Sequence, residues 1–164
     1  MSEQPIETSY LRLKNFLVEH GVRYREYEHE PEGRCDIVSQ MRGNSVEQAA
    51  KAMVIMVKTG KKSRCYYLAV VPGNCRIDLD RLRTHVRGSH AMFAPVQKAE
   101  ELTGCPMGAV PPLSFHPDLR VAFDPRLLEN DELFFNAGRL DRSFAVDTGS
   151  FVEAAKPEIL PLAG

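Results

Sequence analysis

A chain of 164 residues with 43% hydrophobic and 26% charged side chains has the composition of one globular domain able to bury a sizeable core. The formal net charge of -1 excludes a protein that coats DNA through bulk positive charge, yet leaves room for a local basic patch among 21 Lys and Arg residues. The longest apolar runs, such as residues 52–57, are far too short to span a bilayer. Met1-Ser2-Glu3-Gln4-Pro5 lacks the basic-then-apolar pattern of a secretory signal, so the expected location is cytoplasmic.

In chain order, Leu11, Leu13, Phe16, Leu17 and Val18 follow a helical stripe, with Thr8 or Ser9 as its cap and Gly21 as its stop. Residues 22–27 alternate as a half-buried strand would, and His29-Glu30-Pro31-Glu32-Gly33 reads as a turn. Short helical segments are predicted over 36–41 and 45–49. Lys51 then opens an apolar strand over 52–58, which a Lys61-Lys62-Ser63 link joins to a second strand over 65–71. Asp78 caps a predicted helix over 79–86; a short strand follows at 89–93 and a helix at 95–102. Strands are predicted near 119–123, 132–136 and 143–146, and a last helix from Thr148 to the stop at Pro157. Without repeats or an interdomain linker, residues 1–164 are read as one α+β or α/β domain with a mixed sheet packed by helices.

The most informative stretch is 103–116, where Gly104, Pro106, Gly108, Pro111 and Pro112 crowd between a helix and a strand. Glycine admits unusual torsions and close approach of a ligand to the main chain, while proline fixes its own torsion and restrains the residue before it. Such a loop has a set shape and free amides, the kind that carries ligands. Lys51 is either a lysine snorkelling at a strand end or a cation set at a cleft mouth for a phosphate or carboxylate. His29 and His116 sit in proline-containing turns and have no paired nucleophile; Ser114 lacks the G-x-S-x-G turn of a serine nucleophile. Asn136-Ala137-Gly138-Arg139 is either a plain strand-ending turn or a second turn facing a site. Arg81, Arg83, His85, Arg87 and His90 form a basic cluster, a solvated face or a contact to a nucleic-acid backbone. The spacing of Gly104 and Gly108 is neither a dinucleotide fingerprint nor a phosphate loop. Cys35, Cys65, Cys75 and Cys105 contain no C-x-x-C pair and no zinc signature; they are expected as free thiols, Cys35 and Cys105 exposed in loops and Cys65 in the core.

Taken together, Lys51 before an apolar strand, Thr103-Gly104 followed by Gly108-x-x-x-Pro112, and Phe135-Asn136-Ala137-Gly138 resemble the YbaK/ProX aminoacyl-tRNA deacylases, relatives of the editing domain inserted in bacterial prolyl-tRNA synthetases. The similarity runs over about residues 11–155. His29-Glu30-Pro31-Glu32-Gly33-Arg34-Cys35, Glu101-Leu102-Thr103-Gly104-Cys105 and Pro111-Pro112-Leu113-Ser114-Phe115-His116-Pro117 look like the free-standing YeaK-type branch. The resemblance implies a strongly curved mixed β-sheet flanked by helices, and hydrolysis of the ester between a wrong amino acid and its tRNA, with no cofactor, no metal and no covalent intermediate. It also implies that Lys51 holds the terminal adenosine through its phosphate and that Gly108 and Pro112 shape the pocket beside the scissile carbonyl. His29, Gly104, Ser114, His116, Asn136 and Gly138 are the further candidate substrate contacts. The expected partner is the acceptor end of an aminoacyl-tRNA, with a synthetase as a second partner and no membrane; the branch favours a small amino acid such as serine, threonine or alanine.

The chemistry of the residues is compatible with that expectation. An activated ester needs positioning and oxyanion stabilisation more than a strong base. Backbone amides near Gly108 are candidate donors, and the ribose 2′-hydroxyl beside the ester can orient or activate water. Two other classes stay open from sequence: a tRNA- or synthetase-binding module without catalysis, and a hydrolase of another small ester or thioester.

Overall fold

The computed structural model describes residues 5–164, and side chains from residue 9 onward. The Met1-Ser2-Glu3-Gln4 segment and the Thr8 side chain therefore lie outside the described residues. The first helix, α1 (Pro5–Glu19), begins earlier than its apolar stripe indicated. Ser9 is consequently not its cap; it lies within the helix and donates from Oγ to the Gly104 carbonyl at 2.9 Å. Strand β1 (Tyr24–Glu28) and helix α2 (Cys35–Arg42) follow, then a single 3-10 turn (Val46–Gln48).

Strands β2 (Ala50–Lys58) and β3 (Arg64–Pro72) form a long antiparallel hairpin, with Ala50 opposite Pro72 and Lys58 opposite Arg64. Their apolar runs are continuous because both faces are covered. Val54, Leu68 and Val70 join one core with Leu13, Leu17, Phe123, Phe135, Phe144 and Phe151. Ile55, Val57, Tyr67, Ala69 and Val71 join a second with Leu82, Leu160 and Leu162. Helix α3 (Leu79–Val86) is capped as expected by Asp78, whose side chain accepts from the N–H groups of Asp80 and Arg81. Then come β4 (His90–Phe93), α4 (Val96–Thr103), β5 (Leu119–Phe123) and a 3-10 turn (Pro125–Glu129). The chain finishes with β6 (Glu132–Arg139), β7 (Arg142–Asp147), α5 (Thr148–Ala155) and β8 (Glu158–Ile159).

The architecture is α+β, and the expected curved mixed sheet is divided. One sheet has the order β1-β7-β6 and is antiparallel; the other has the order β4-β2-β3-β5-β8 and mixes both senses. A parallel bridge between Ala49 and Phe134 ties them. Past that bridge β2 and β6 form no ladder with one another among the described residues, and residues of both strands face a shared space.

Further sequence-based expectations change. Asn136-Ala137-Gly138-Arg139 is not a turn but the buried end of β6, where the register with β7 shifts between Asn136 and Arg139; the reversal itself falls at Leu140 and Asp141. Cys105 is buried, tucked against Thr103, although its loop setting suggested exposure, and Cys35 is half-buried in the first turn of α2. Cys65, expected in the core, is only partly covered near the turn end of the hairpin. All four are free thiols. Among the described residues no helix is long and apolar enough to cross a membrane.

One carboxylate, together with backbone bonds from Leu160 to Phe123 and from Gly164 to Arg76, fastens the C-terminal segment. Asp124 is 2% exposed and accepts from the N–H groups of Leu162 at 2.8 Å, Ala163 at 2.7 Å and Arg126 at 2.8 Å. Burial pushes this carboxyl up, but the donors from Ala163, Arg126 and Leu162 outweigh it and hold it below its ordinary value. The stability it contributes is therefore present above the unfolded value of about 4 and is lost as pH falls through the lower folded value. Asp124→Ala should cost about 1–3 kcal/mol in urea unfolding at neutral pH by orphaning buried N–H groups. The deficit should shrink as the pH is lowered below about 4; a pH-independent deficit would contradict this role.

Candidate functional site

A cavity of about 640 Å³ opens where β2 and β6 part. Its apolar wall comes from Val38, Ala50, Ala52, Val54, Val110 and Phe134, and its polar groups from Arg34, Cys35, Asp36, Arg42, Lys51, Asn74 and Asn136. The volume is that of a small-molecule site, and mixed apolar walls with a few convergent polar groups are what such sites use.

Lys51 is the second residue of β2, not its forerunner. Its half-buried side chain reaches across to the turn after β3, where Nζ donates to the carbonyls of Gly73, at 3.5 Å, and Cys75. Two of three ammonium protons are thus placed by main chain, leaving one for a ligand. Gly73 and Asn74 line the cavity beside it.

Gly108 lines the cavity from the glycine-proline loop, with φ of +87°, a conformation that L side chains rarely adopt. A Cβ built there would stand 2.7 Å from Gly33 Cα, and one on Gly33 would stand 3.1 Å from Gly108 Cα. Two backbones touch here; the approach requires glycine at Gly108 and is tight for any side chain at Gly33. The clash an alanine at residue 108 would make is with Gly33, on a neighbouring loop.

Asn136, 6% exposed on β6, fixes that contact. Its Nδ2 donates to Glu32 O at 2.8 Å and to Gly108 O at 2.9 Å, so one amide holds both loops. Its Oδ1 accepts from Ser143 Oγ at 2.9 Å. The same hydroxyl lies 2.7 Å from His29 Nε2 and accepts from Arg42 Nη1 at 3.1 Å.

Of the sequence candidates, the fold brings Lys51, Gly108 and Asn136 to one cavity and leaves the rest outside its wall. His29 lies outside the lining and is joined to it through Ser143, with Nδ1 on the Glu30 carbonyl at 2.9 Å. Gly104 ends α4 with φ of +70° and packs on Ser9 of α1. Gly138 also packs on α1, against Ser9 and Tyr10, and donates to Ala109 O at 3.0 Å. Pro112 is buried beneath the loop. Ser114 and His116 bond to one another in a local turn before β5, where Ser114 Oγ accepts from His116 N at 3.1 Å. In the basic cluster, Arg81 and Arg83 pair with Asp78 and Asp80, and His85 meets Glu158. Arg42, Ser143 and Gly33 are site residues that single-residue reasoning did not pick out; their only sequence signal was position near glycines and in an apolar strand.

No histidine lines the cavity among the described residues. Cys35 does, but burial pushes its thiol up despite the opposing fields of Lys51 and Arg42, so at neutral pH it is a neutral thiol rather than a nucleophilic thiolate. The site thus offers cations, main-chain groups and an amide, and its one lining carboxylate among the described residues, Asp36, is paired with Arg34.

Comparison with known proteins adds an independent line. A family model described as the aminoacyl-tRNA editing domain matches residues 29–154. The curated Multifunctional Ser/Thr-tRNA deacylase ProXp-y of Escherichia coli strain K12 is 40% identical over 153 residues, covering 93% of this chain and 91% of that one. A protein of the same description from Escherichia coli O157:H7 matches equally. Among solved structures, a hypothetical protein superposes with a TM-score of 0.84 at 19% identity, covering 93% of this chain and 99% of its own, which bears on the fold alone. A candidate trans-editing enzyme for prolyl tRNA synthetase superposes with a TM-score of 0.78 at 25% identity, covering 95% and 97%.

Two substitutions test the geometry without reference to activity. Asn136→Ala should cost about 1–3 kcal/mol in denaturant unfolding, because it strands two carbonyls and a buried hydroxyl. Amide exchange should quicken over residues 30–36 and 106–112 together; quickening in one loop only would break the coupling. Gly108→Ala should lower the melting temperature, and Gly33→Ala less so, in the order of their Cβ contacts of 2.7 Å and 3.1 Å.

Proposed function

The chain belongs to the aminoacyl-tRNA editing domain family, and from that membership we propose that it is a trans-acting deacylase. It hydrolyses the ester of mischarged aminoacyl-tRNA and releases a small amino acid such as serine, threonine or alanine. The observation that carries the reading is the single cavity lined by Lys51, Gly108 and Asn136, whose volume of about 640 Å³ suits a terminal aminoacyl-adenosine.

In this reading the acceptor end enters the cavity and the spare proton of Lys51 meets the phosphate of the terminal nucleotide. Gly108, whose N–H has no acceptor among the described residues, presents main chain to the acyl group. The ester is activated, so holding it beside water and stabilising the developing negative oxygen supplies most of what the reaction needs. The neutral Cys35 thiol and the lack of a lining histidine favour direct attack by water over a covalent intermediate. The ribose 2′-hydroxyl then orients that water. Apolar walls discriminate poorly between near-isosteres, so a pocket of this kind suits removal of several small residues rather than one. A synthetase that misloads such residues is the natural supplier of substrate.

Lys51→Ala should abolish release of serine and threonine from mischarged tRNA while melting within a few degrees of the unsubstituted protein. Because Lys51 also bonds to the Gly73 and Cys75 carbonyls, Lys51→Arg is the control and should keep partial activity. Full activity in a folded Lys51→Ala would remove this lysine from the mechanism. An unsubstituted protein that binds mischarged tRNA but releases no amino acid would make the chain a binding module instead.

A further inference from the structure

Arg42 closes α2 and is only 7% exposed, yet it lines the cavity. Its Nε donates to Asn44 Oδ1 at 3.0 Å, Nη1 to Ser143 Oγ at 3.1 Å, and Nη2 to Ser39 Oγ at a long 3.4 Å. All three acceptors are uncharged. Among the described residues no carboxylate pairs with it; the Cys35 thiol and the Tyr27 hydroxyl are its nearby titratable groups, both neutral at pH 7, and the Phe134 ring lies 5.8 Å from Cζ to centroid. A guanidinium has five N–H donors, so part of its capacity is unused. Burial without a counterion pushes it down to about 10, still cationic at neutral pH. A buried cation held by neutral groups alone is costly, and the cost is explained when a ligand supplies the missing negative charge.

We propose that Arg42 is the anion-binding group at the floor of this cavity, taking first the acyl oxygen that turns negative during ester hydrolysis and then the carboxylate of the released amino acid. The proposal rests on the deacylase reading. In that reaction the oxygen of water bonds to the acyl carbon and the bond from that carbon to the ribose oxygen breaks. One water proton ends on the ribose oxygen, and the other leaves as the product becomes a carboxylate. Negative charge therefore appears on the acyl group, which carries none in the substrate. A preorganised cation at that point favours the transition state over the ground state. The phosphate is the other anion of the substrate, but it is attached to a polynucleotide that must enter from the mouth. The half-buried Lys51 suits it better than the more deeply buried Arg42 does.

The test uses the intact protein. The Arg42 Nε–H resonance, identified by its loss in Arg42→Lys, is followed in ¹⁵N spectra during titration with serine, serinamide or 5′-AMP. Serine should move it with at least about tenfold tighter binding than serinamide, which has the same side chain and no carboxylate. Equal responses to serine and serinamide, or a response to 5′-AMP alone, would overturn the proposal. In turnover, Arg42→Lys should lower kcat roughly tenfold and Arg42→Met about 10²–10³-fold, with KM little changed. A folded Arg42→Met with unaltered kcat would also overturn it. If Arg42→Met does not fold, the serine and serinamide comparison decides. Absence of amino-acid release by the unsubstituted protein would sink the deacylase reading, while the titration would still show whether Arg42 holds a carboxylate.

Discussion

Asn136 and the two loops it joins set the shape of everything around the cavity. The loop after β1 and the loop after α4 are far apart in sequence, and each needs a partner for its main-chain polar groups. One buried amide satisfies a carbonyl of each, at Glu32 and Gly108, and does so from the side of β6. The paired glycines allow the approach, since a side chain on Gly108 would meet Gly33 Cα at 2.7 Å. That close contact places Gly33 and Gly108 together in the cavity lining. Ser143 and Arg42 extend the same network to the end of α2, so the helix, both loops and the small sheet are held in one hydrogen-bonded unit.

The charge distribution of the site follows from this frame. Lys51, Arg34 and Arg42 line the cavity against the single carboxylate of Asp36, which pairs with Arg34. A protein with a net charge of -1 thereby presents a locally cationic hollow. Affinity for a nucleic-acid end needs positive charge only where the phosphate lies, so overall neutrality is no obstacle. The same frame explains why no Ser-His-Asp set is found. The His29 imidazole is occupied by the Glu30 carbonyl and Ser143, which bonds to the cavity-lining Asn136 and Arg42.

The candidate site was half legible in the sequence. Lys51 and Gly108 stood out because a charge beside an apolar strand and a glycine between prolines are local anomalies. Asn136 stood out only as one member of an Asn-Ala-Gly-Arg segment whose role was ambiguous. Gly104, Gly138, Pro112, Ser114 and His116 carry the same kind of local signal but use it for internal purposes: capping α4, packing on α1, shaping the turn before β5. Glycine, proline and short polar residues look alike in sequence whether they face a ligand or another part of the chain. Arg42 and Ser143 escaped notice for the opposite reason. An arginine ending a helix and a serine opening a strand are ordinary locally, and become unusual only when both are buried together.

What the sequence determined by itself was the set of elements and their order, apart from the two-residue β8 and the 3-10 turn at Pro125–Glu129, which no local pattern indicated. Apolar periodicity, the Asp78 cap and the glycine and proline stops act over a few residues, so they are written locally and appear in the structure within a residue or two for most elements. The start of α1 and the extent of β6 differ, because the first lies beyond its apolar stripe and the second continues through a bulge. The tertiary structure alone decided the division into two sheets, the burial of Cys105 and the choice of which polar residues share a cavity. Those outcomes depend on contacts between segments tens of residues apart, such as Glu32, Gly108 and Asn136, and no local pattern encodes which distant carbonyl an amide will find.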